Sequence, residues 1–310
     1  AFRCLQVGLN IGKVVVVLSH SRQGTLAGIH VLTGGGGGLG LLSAHWLCQR
    51  GVASVVLASR RGHVPAASAQ PLLQLGAGSA YTVRCDCSQE VDIKALLSIA
   101  QHGSPVALRG VWHAAGVLSD GLVRSLHASS LRRVYAPKVH GAWTWQQACG
   151  TLILDACLLF SSVATLFGGA GQANYSAANA CLDWLASLRR ANAVAAVSVQ
   201  WGPWAQVGMA AGGNIHSRMK AGGLRLIPAE EGLRALKLAS NYRAPAVVAV
   251  ASVAWRRFLG SLPAVPPLLE YFVEQAGPAH TTELRDASGT AGDPRRAVTL
   301  ETILESIQQT

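Results

Sequence analysis

The sequence predicts an α/β protein with a doubly wound, parallel sheet of the Rossmann type. Short β-branched segments alternate with segments of helical length, which is typical of repeated βαβ units. A glycine-rich turn at residues 33–40 follows a predicted strand and begins a predicted helix, as in dinucleotide-binding folds. Half of the residues are hydrophobic and 13% are charged, so the chain can bury a substantial core.

The predicted elements follow one another along most of the chain. After the strand that begins at His30, β-branched runs predict strands at residues 52–58, 80–85, 107–113, 152–160, 195–200 and 246–251. Segments of helical length lie at residues 39–49, 91–100, 131–149 and 173–190. The run 152–160 is almost continuously apolar, which favours a strand that is covered on both faces.

The charge and the cysteines limit the classes of function. The net charge of +11 indicates an acidic partner, and a phosphorylated cofactor or an acidic carrier protein would both suit it. Basic residues occur mostly as short pairs, which argues against a nucleic-acid binder. The seven cysteines have neither disulfide nor zinc spacing, and the sequence shows neither a signal peptide nor a long apolar run near its start. We therefore expect a cytoplasmic protein without a membrane span.

The glycine-rich turn predicts the phosphate-binding part of a dinucleotide site. Glycines permit positive φ and a close approach of the backbone to a pyrophosphate, which the following helix N-terminus would attract. The candidate residues are Thr33, Gly34, Gly35, Gly36, Gly37, Gly38, Leu39 and Gly40.

The ends of the next strands predict the choice of cofactor. The second strand ends at Ser59, Arg60 and Arg61, where NAD-binding proteins usually carry an acidic residue for the ribose. Since arginine binds phosphate well, the 2′-phosphate of NADPH is favoured over NADH. Asp86 ends the third strand and is a candidate contact of the adenine.

Carbonyl chemistry is predicted where the fourth and fifth strands end. The small residues of the run His113, Ala114, Ala115, Gly116 leave room for a nicotinamide. Ser162 follows the fifth strand, and Tyr175 comes thirteen residues later. A tyrosine can protonate a forming alkoxide if a lysine lowers its pKa, and among five lysines only Lys138 is well placed.

Together these motifs resemble the short-chain dehydrogenase/reductase superfamily. The TGGGGGLG turn, Ser162, Tyr175 and Asn179 match its pattern. Simple members carry lysine four residues after the tyrosine, whereas here Asn179 takes that place and Lys138 is the lysine. This exchange resembles the ketoreductase domain of type I polyketide synthases, and the resemblance covers residues 29–273.

The resemblance implies an NADPH-dependent reduction of a β-ketoacyl thioester that is bound to an acyl carrier protein. It implies Tyr175 as the acid, Ser162 as donor to the carbonyl, Lys138 as stabiliser of the phenolate, and Asn179 as holder of the lysine or of a water relay. No metal is implied.

The resemblance also implies a stereochemical type. Asp120, preceded by Leu118, matches the motif of B-type ketoreductases, which form D-configured (3R) alcohols, and Phe167 stands where the other type has tryptophan. Ser119 and Ala170 depart from the residues that are common in that type.

The flanking segments suggest a place in a larger protein. We expect residues 1–18 to be the tail of an enoylreductase-like domain, 19–28 a linker, 29–273 the catalytic domain, 274–296 a second linker, and 297–310 the start of a following domain, an acyl carrier. Neighbouring synthase domains would then be partners. A fatty-acid synthase ketoreductase and a silent structural or epimerase-only domain remain as alternatives.

Overall fold

The computed structural model describes residues 26–64, 80–102, 106–150, 152–205, 207, 217, 219–241 and 244–275. The predicted enoylreductase-like tail at 1–18 and the predicted following domain at 297–310 lie outside these residues. The predicted linkers are described only at residues 26–28 and at residues 274 and 275.

A seven-stranded parallel sheet forms the centre of the molecule, which confirms the predicted fold class. The strands of the molecule are β1 Ile29–Thr33, β2 Ser54–Ser59, β3 Ala80–Arg84, β4 Leu108–His113, β5 Ala156–Ser162, β6 Val197–Trp201, β7 Leu224–Arg225, β8 Val247–Val250 and β9 Ser252–Val253. In the central sheet they run in the order β3-β2-β1-β4-β5-β6-β8, and β7 and β9 form a small antiparallel pair. The strand order reverses between β1 and β4, and ligands of such sheets bind in the crevice at this point.

Helices cover both faces of the sheet. They are α1 Gly38–Cys48, α2 Glu90–His102, α3 Ala128–Tyr135, α4 Gly141–Ala148, α5 Ala164–Phe167, α6 Ala173–Ala191, α7 Ala229–Ala239, α8 Trp255–Gly260 and α9 Tyr271–Gln275. A π-helix at Ala136–His140 joins α3 to α4, and 3-10 turns lie at Val123–Ser125 and Pro267–Leu269. In the described part of the chain no helix combines the length and apolar character that a bilayer crossing requires.

Successive residues of the central strands pack into opposite cores, as the pleat of a strand requires. Val31 and Leu159 pack with α2, α4 and α6 on one face, whereas Leu32 and Leu158 pack with α1 and α7 on the other. Burial on both faces explains why the predicted strand around Leu158 reads as a continuous apolar run.

Two predicted elements differ in detail. The helix predicted at 131–149 is divided into α3, the π-helix and α4, because Pro137 has no backbone N–H to continue the α-helical bonding. The strand predicted from residue 152 begins at Ala156, the first residue of β5 to pair with β4.

A third core lies beside the carboxyl ends of the strands, in a part of the chain for which the sequence predicted no elements. Phe167 packs there with Trp255 and Phe258 of α8, and α9 stacks Phe272 on Trp255 at 3.8 Å. This core positions α5, which carries Phe167, next to the end of β5.

Candidate active site

The predicted cofactor loop is tightly packed between the ends of β1, β2 and β4. Gly34 has a φ of +70°, and a Cβ there would lie 2.8 Å from the backbone of Ala114. A Cβ on Gly35 would lie 2.8 Å from the Cα of Leu57, and one on Gly40 would lie 2.5 Å from the Gly34 carbonyl oxygen. Only glycine fits these positions, so the run of glycines is a packing requirement and not a flexible linker.

The outer side of the same loop is exposed at Gly37 and Gly38 and suits a pyrophosphate. An added Cβ on Gly36 would make only ordinary van der Waals contact, 3.6 Å from the nearest atoms. Gly37 is the N-cap of α1, and no side chain caps the helix there. The first helical hydrogen bond runs from the N–H of Leu41 to the carbonyl of Gly37. The N–H groups of residues 38–40 therefore have no acceptor within the helix, which is the donor set that phosphate groups bind.

The residues that end β2 and β3 lie beside this loop. Arg60 and Arg61 are exposed, and none of the ion pairs found among the described residues involves them. The hydroxyl of Ser59 accepts a bond from the N–H of Gly62 at 3.2 Å. One carboxylate oxygen of Asp86 accepts bonds from the backbone N–H and the hydroxyl of Ser88, at 3.0 and 2.8 Å. Asp86 thus forms a turn of its own chain, and only its other oxygen remains for an adenine.

His113 is fully buried and connects two parts of the site. Its Nδ1 lies 2.7 Å from the hydroxyl of Thr33, and its Nε2 lies 3.0 Å from the carbonyl of Lys138. Burial, reinforced by the Lys138 charge, lowers the pKa of His113 to about 4. With both ring nitrogens engaged, the neutral His113 ties β1 to the π-helix. Its ring therefore supports the site from behind.

Lys138 projects from the π-helix into the site and is itself buried. Its Nζ donates to the carbonyl of Phe160 at 2.8 Å and lies 5.5 Å from the ring centre of Tyr175. A Cβ on Gly116 would lie 3.0 Å from the Lys138 Cε, so the small residue predicted for the nicotinamide also makes room for the lysine. Burial lowers the pKa of Lys138 to about 7, and the carboxylate of Asp183 opposes that shift.

Tyr175 lies on the first turn of α6 and is 8% exposed. Burial raises its pKa, and side-chain hydrogen bonds with Asn179 and Ser162 act in the opposite direction. The sequence predicts a pKa lowered by Lys138; in this structure desolvation dominates, and the phenol stays protonated. A buried neutral phenol is able to donate its proton when an alkoxide forms beside it.

The two other tetrad residues surround this phenol from β5 and α6. The Ser162 hydroxyl accepts a bond from the N–H of Ala164 at 3.2 Å, so its own O–H can donate to an oxygen in the site. The Asn179 amide donates to the carbonyl of Tyr175 at 2.8 Å, and its Oδ1 is buried without a partner among the described residues.

A cavity of about 820 Å³ joins most of these side chains. The predicted residues that line it are Leu39, Ala114, Leu118, Asp120, Lys138, Ser162, Phe167 and Tyr175. Asn179, His113 and Ala115 are buried outside its lining. The cavity therefore brings together three of the four catalytic candidates, the three stereocontrol candidates and, of the cofactor candidates, Leu39 and Ala114.

The stereocontrol loop is held against the start of α6 by bonds that the sequence did not predict. Gln172 donates to the carboxylate of Asp120 at 3.2 Å, and the N–H of Gly121 donates to the carbonyl of Gly171 at 2.8 Å. Asn174 donates to the carbonyl of Ser119 at 2.8 Å. Gln172 and Asn174, the two amides just before Tyr175, are the residues by which the sequence could have indicated these bonds.

In the described part of the chain no group of histidine, cysteine and acidic residues is arranged to hold a metal ion. None of the six described cysteines forms a disulfide, and four of them are buried. The polar side chains that line the cavity include hydroxyl, amine, amide and carboxylate groups.

Residues 28–206 match the KR domain family. The chain is 41% identical over 247 residues to the polyketide synthase GfsA of Streptomyces halstedii. This alignment covers 78% of this chain and 3% of the relative. It is 36% identical over 279 residues to the phenolphthiocerol synthesis polyketide synthase type I Pks15/1 of Mycobacterium bovis, covering 86% of this chain and 13% of the relative. This chain thus spans a small part of the curated relatives that it matches.

Solved structures agree with this result. One described as the structure of A-type ketoreductases from a modular polyketide synthase has a TM-score of 0.76 and 33% identity, over 85% of this chain and 56% of that one. The ketoreductase from the first module of phoslactomycin biosynthesis in Streptomyces sp. HK803 has a TM-score of 0.75 and 35% identity, over 82% of this chain and 59% of that one. A C2-type ketoreductase has a TM-score of 0.67 and 29% identity, over 75% of this chain and 50% of that one.

Proposed function

The chain belongs to the ketoreductase (KR) domain family of type I polyketide synthases, within the short-chain dehydrogenase/reductase superfamily, and from this premise we propose its reaction. It reduces the β-keto group of an acyl thioester, carried by an acyl carrier domain, to the β-hydroxyacyl thioester with NADPH. The observation that carries this proposal is the convergence of Tyr175, Ser162 and Lys138 on one cavity beside an open glycine loop.

NADPH is the proposed cofactor, and it supplies the hydride for the carbonyl carbon when bound. The free N–H groups at the start of α1 would hold its pyrophosphate. Arg60 and Arg61, both exposed at the end of β2, would bind the 2′-phosphate through their planar guanidinium groups. Ala114 and Gly116 would leave space for the nicotinamide.

The side chains of the cavity then perform the proton chemistry. The Ser162 hydroxyl donates a hydrogen bond to the carbonyl oxygen and so polarises the C=O bond. Tyr175, a phenol whose pKa burial raises further, gives its proton to the developing alkoxide. The ammonium of Lys138 stabilises the phenolate that remains, an attraction that burial strengthens.

We further propose a B-type product, the D-configured (3R) alcohol. Asp120 and Phe167 both line the cavity that contains Tyr175. The bond between Gln172 and Asp120 holds the loop that would guide the pantetheine arm. Similarity of the backbone does not separate the types, since both A-type and C2-type enzymes resemble this chain.

The test is turnover of a β-ketoacyl-N-acetylcysteamine thioester with NADPH, followed by loss of absorbance and by chiral analysis of the product. We expect Tyr175→Phe to lower kcat by about 10²–10⁴-fold. Tyr135→Phe is the matched control, since Tyr135 is partly buried against the same cluster without lining the cavity. Full activity of Tyr175→Phe, or an inactive folded wild type, would overturn the proposed reaction, and an L-configured product would overturn the B-type assignment.

Two other functions are weaker. A fatty-acid synthase ketoreductase would use the same residues, but the relatives reported above are polyketide synthases. A silent structural or epimerase-only domain predicts the loss of a catalytic residue or of the glycine loop, and neither is lost here.

A further inference from the structure

A surface segment next to the cavity has a composition that the catalytic reaction does not explain. Residues 121–135 contain the 3-10 turn Val123–Ser125 and the helix α3. We call this stretch the rim segment. It carries three arginines and no aspartate or glutamate.

The rim segment presents both positive charge and apolar groups to solvent. Its arginines are all exposed, and none of them belongs to an ion pair found among the described residues; they are Arg124, Arg132 and Arg133. The same segment exposes three large apolar side chains: Leu122 at 56%, Val123 at 74% and Leu131 at 41%. Exposed apolar groups with polar residues beside them are typical of a protein-binding surface.

The rim segment is also firmly attached to the catalytic centre. It begins directly after Asp120, which lines the cavity, and its first N–H bonds to Gly171 at 2.8 Å. On its inner side Val134 is fully buried and belongs to the same apolar cluster as Tyr175. A molecule that binds this surface therefore stands next to the cavity.

We propose that the rim segment is the docking surface for the acidic carrier domain that delivers the β-ketoacyl thioester; this rests on the function proposed above. Positive charge steers an acidic partner towards the site and raises the rate of encounter. The exposed leucines and valine supply the apolar contact that electrostatic steering lacks. A nucleic acid fits less well, because surfaces that bind nucleic acid are more polar than this one.

The experiment compares two substrates in the double variant Arg132→Glu/Arg133→Glu. The first is a β-ketoacyl thioester on a phosphopantetheinylated polyketide acyl carrier domain, and the second is the small N-acetylcysteamine thioester. We expect KM for the carrier-bound substrate to rise about tenfold at low salt, with kcat and the small-thioester kcat/KM within about twofold of wild type. The difference should shrink at high salt, because exposed charges are screened.

Arg234→Glu/Lys237→Glu is the matched control. It changes the net charge of the protein by the same amount as the rim variant. Both residues are exposed and lie on α7, which packs on the face of the sheet opposite to the rim segment. We expect it to leave both substrates unaffected. An equal effect of the two double variants, or an unchanged KM in the rim variant, would overturn the docking proposal.

Two further measurements keep docking and catalysis distinct. Val123→Asp in the 3-10 turn should weaken direct binding of the unacylated carrier domain by a similar factor, and binding as tight as that of wild type would contradict the proposal. Failure of the wild type on the small thioester would refute the proposed reaction, while direct binding would still decide the docking surface. Tighter, Arg132-dependent binding of a DNA duplex than of the carrier domain would overturn a carrier site.

Discussion

Substituting Gly34 by alanine tests whether the cofactor loop is shaped by packing. Gly34 has a φ of +70°, and an added methyl group would lie 2.8 Å from three backbone atoms at Ala114 and Ala115. Gly51 is the matched control, because its φ is +75° and nothing lies within 4 Å of an added Cβ. The two variants share the backbone strain and differ in the steric overlap.

The expected free energies follow from this difference. A left-handed backbone conformation costs alanine about 1–2 kcal/mol, which should be the whole effect of Gly51→Ala. Overlap with rigid backbone adds about 1–3 kcal/mol at Gly34. Gly34→Ala should therefore lower the free energy of unfolding by about 2–5 kcal/mol, or roughly 2–4 °C of Tm for each kcal/mol.

The assay is urea and thermal unfolding of both variants and of wild type, together with titration of a nicotinamide dinucleotide. Gly34→Ala should also weaken cofactor binding, since relief of the overlap moves the loop, whereas Gly51→Ala should bind as wild type does. If the two variants lose equal stability and keep equal affinity, the packing explanation of the glycine loop is wrong.

Three further predictions concern charge. His30 and His113 are buried with pKa values lowered to about 4, so the unfolded chain takes up protons that the folded one refuses. Their stabilisation is complete above pH 6.5 and is lost as the pH falls towards 4, by up to about 3 kcal/mol for each, which urea unfolding at several pH values will measure. Lys138→Met should lower kcat by about two orders of magnitude at neutral pH in the thioester assay, since the phenolate loses its stabilising charge. Replacing Arg60 and Arg61 by alanine should raise KM for NADPH at least tenfold more than KM for NADH, because only NADPH carries the 2′-phosphate.

Each of these predictions has a control of the same type. His63→Gln should retain the full pH slope, since His63 is exposed, and an unchanged slope in His30→Leu would contradict the role of buried histidine. Lys94→Met, on the exposed face of α2, should keep wild-type kcat, and equal losses in both lysine variants would exclude a special role for Lys138. Arg50→Ala, an exposed residue beyond the C-terminal end of α1, should not alter cofactor choice, and equal losses for NADPH and NADH in the double variant would refute the phosphate contact.

Local sequence predicted the elements well where one physical rule dominates. The strand before the glycine loop and α6 were placed nearly to the residue, because apolar periodicity and chain punctuation agree there. The segment around Pro137 was predicted as plain helix, since a π-helix has no local pattern that separates it from an α-helix with a proline. The third core was missed because Phe167 and Trp255 are far apart in the chain and meet only through tertiary packing.

By itself the sequence determined the fold class and predicted the cofactor loop, because glycine, strand and helix patterns are local. Its resemblance to the ketoreductases implied the four catalytic candidates Tyr175, Ser162, Lys138 and Asn179. Only the tertiary structure decided the pKa shifts of these groups. Burial raises the pKa of Tyr175 and lowers the pKa of Lys138 to about 7, and the packing places the ring of His113 between Thr33 and the π-helix. Desolvation depends on every neighbour in space, and no local pattern records it.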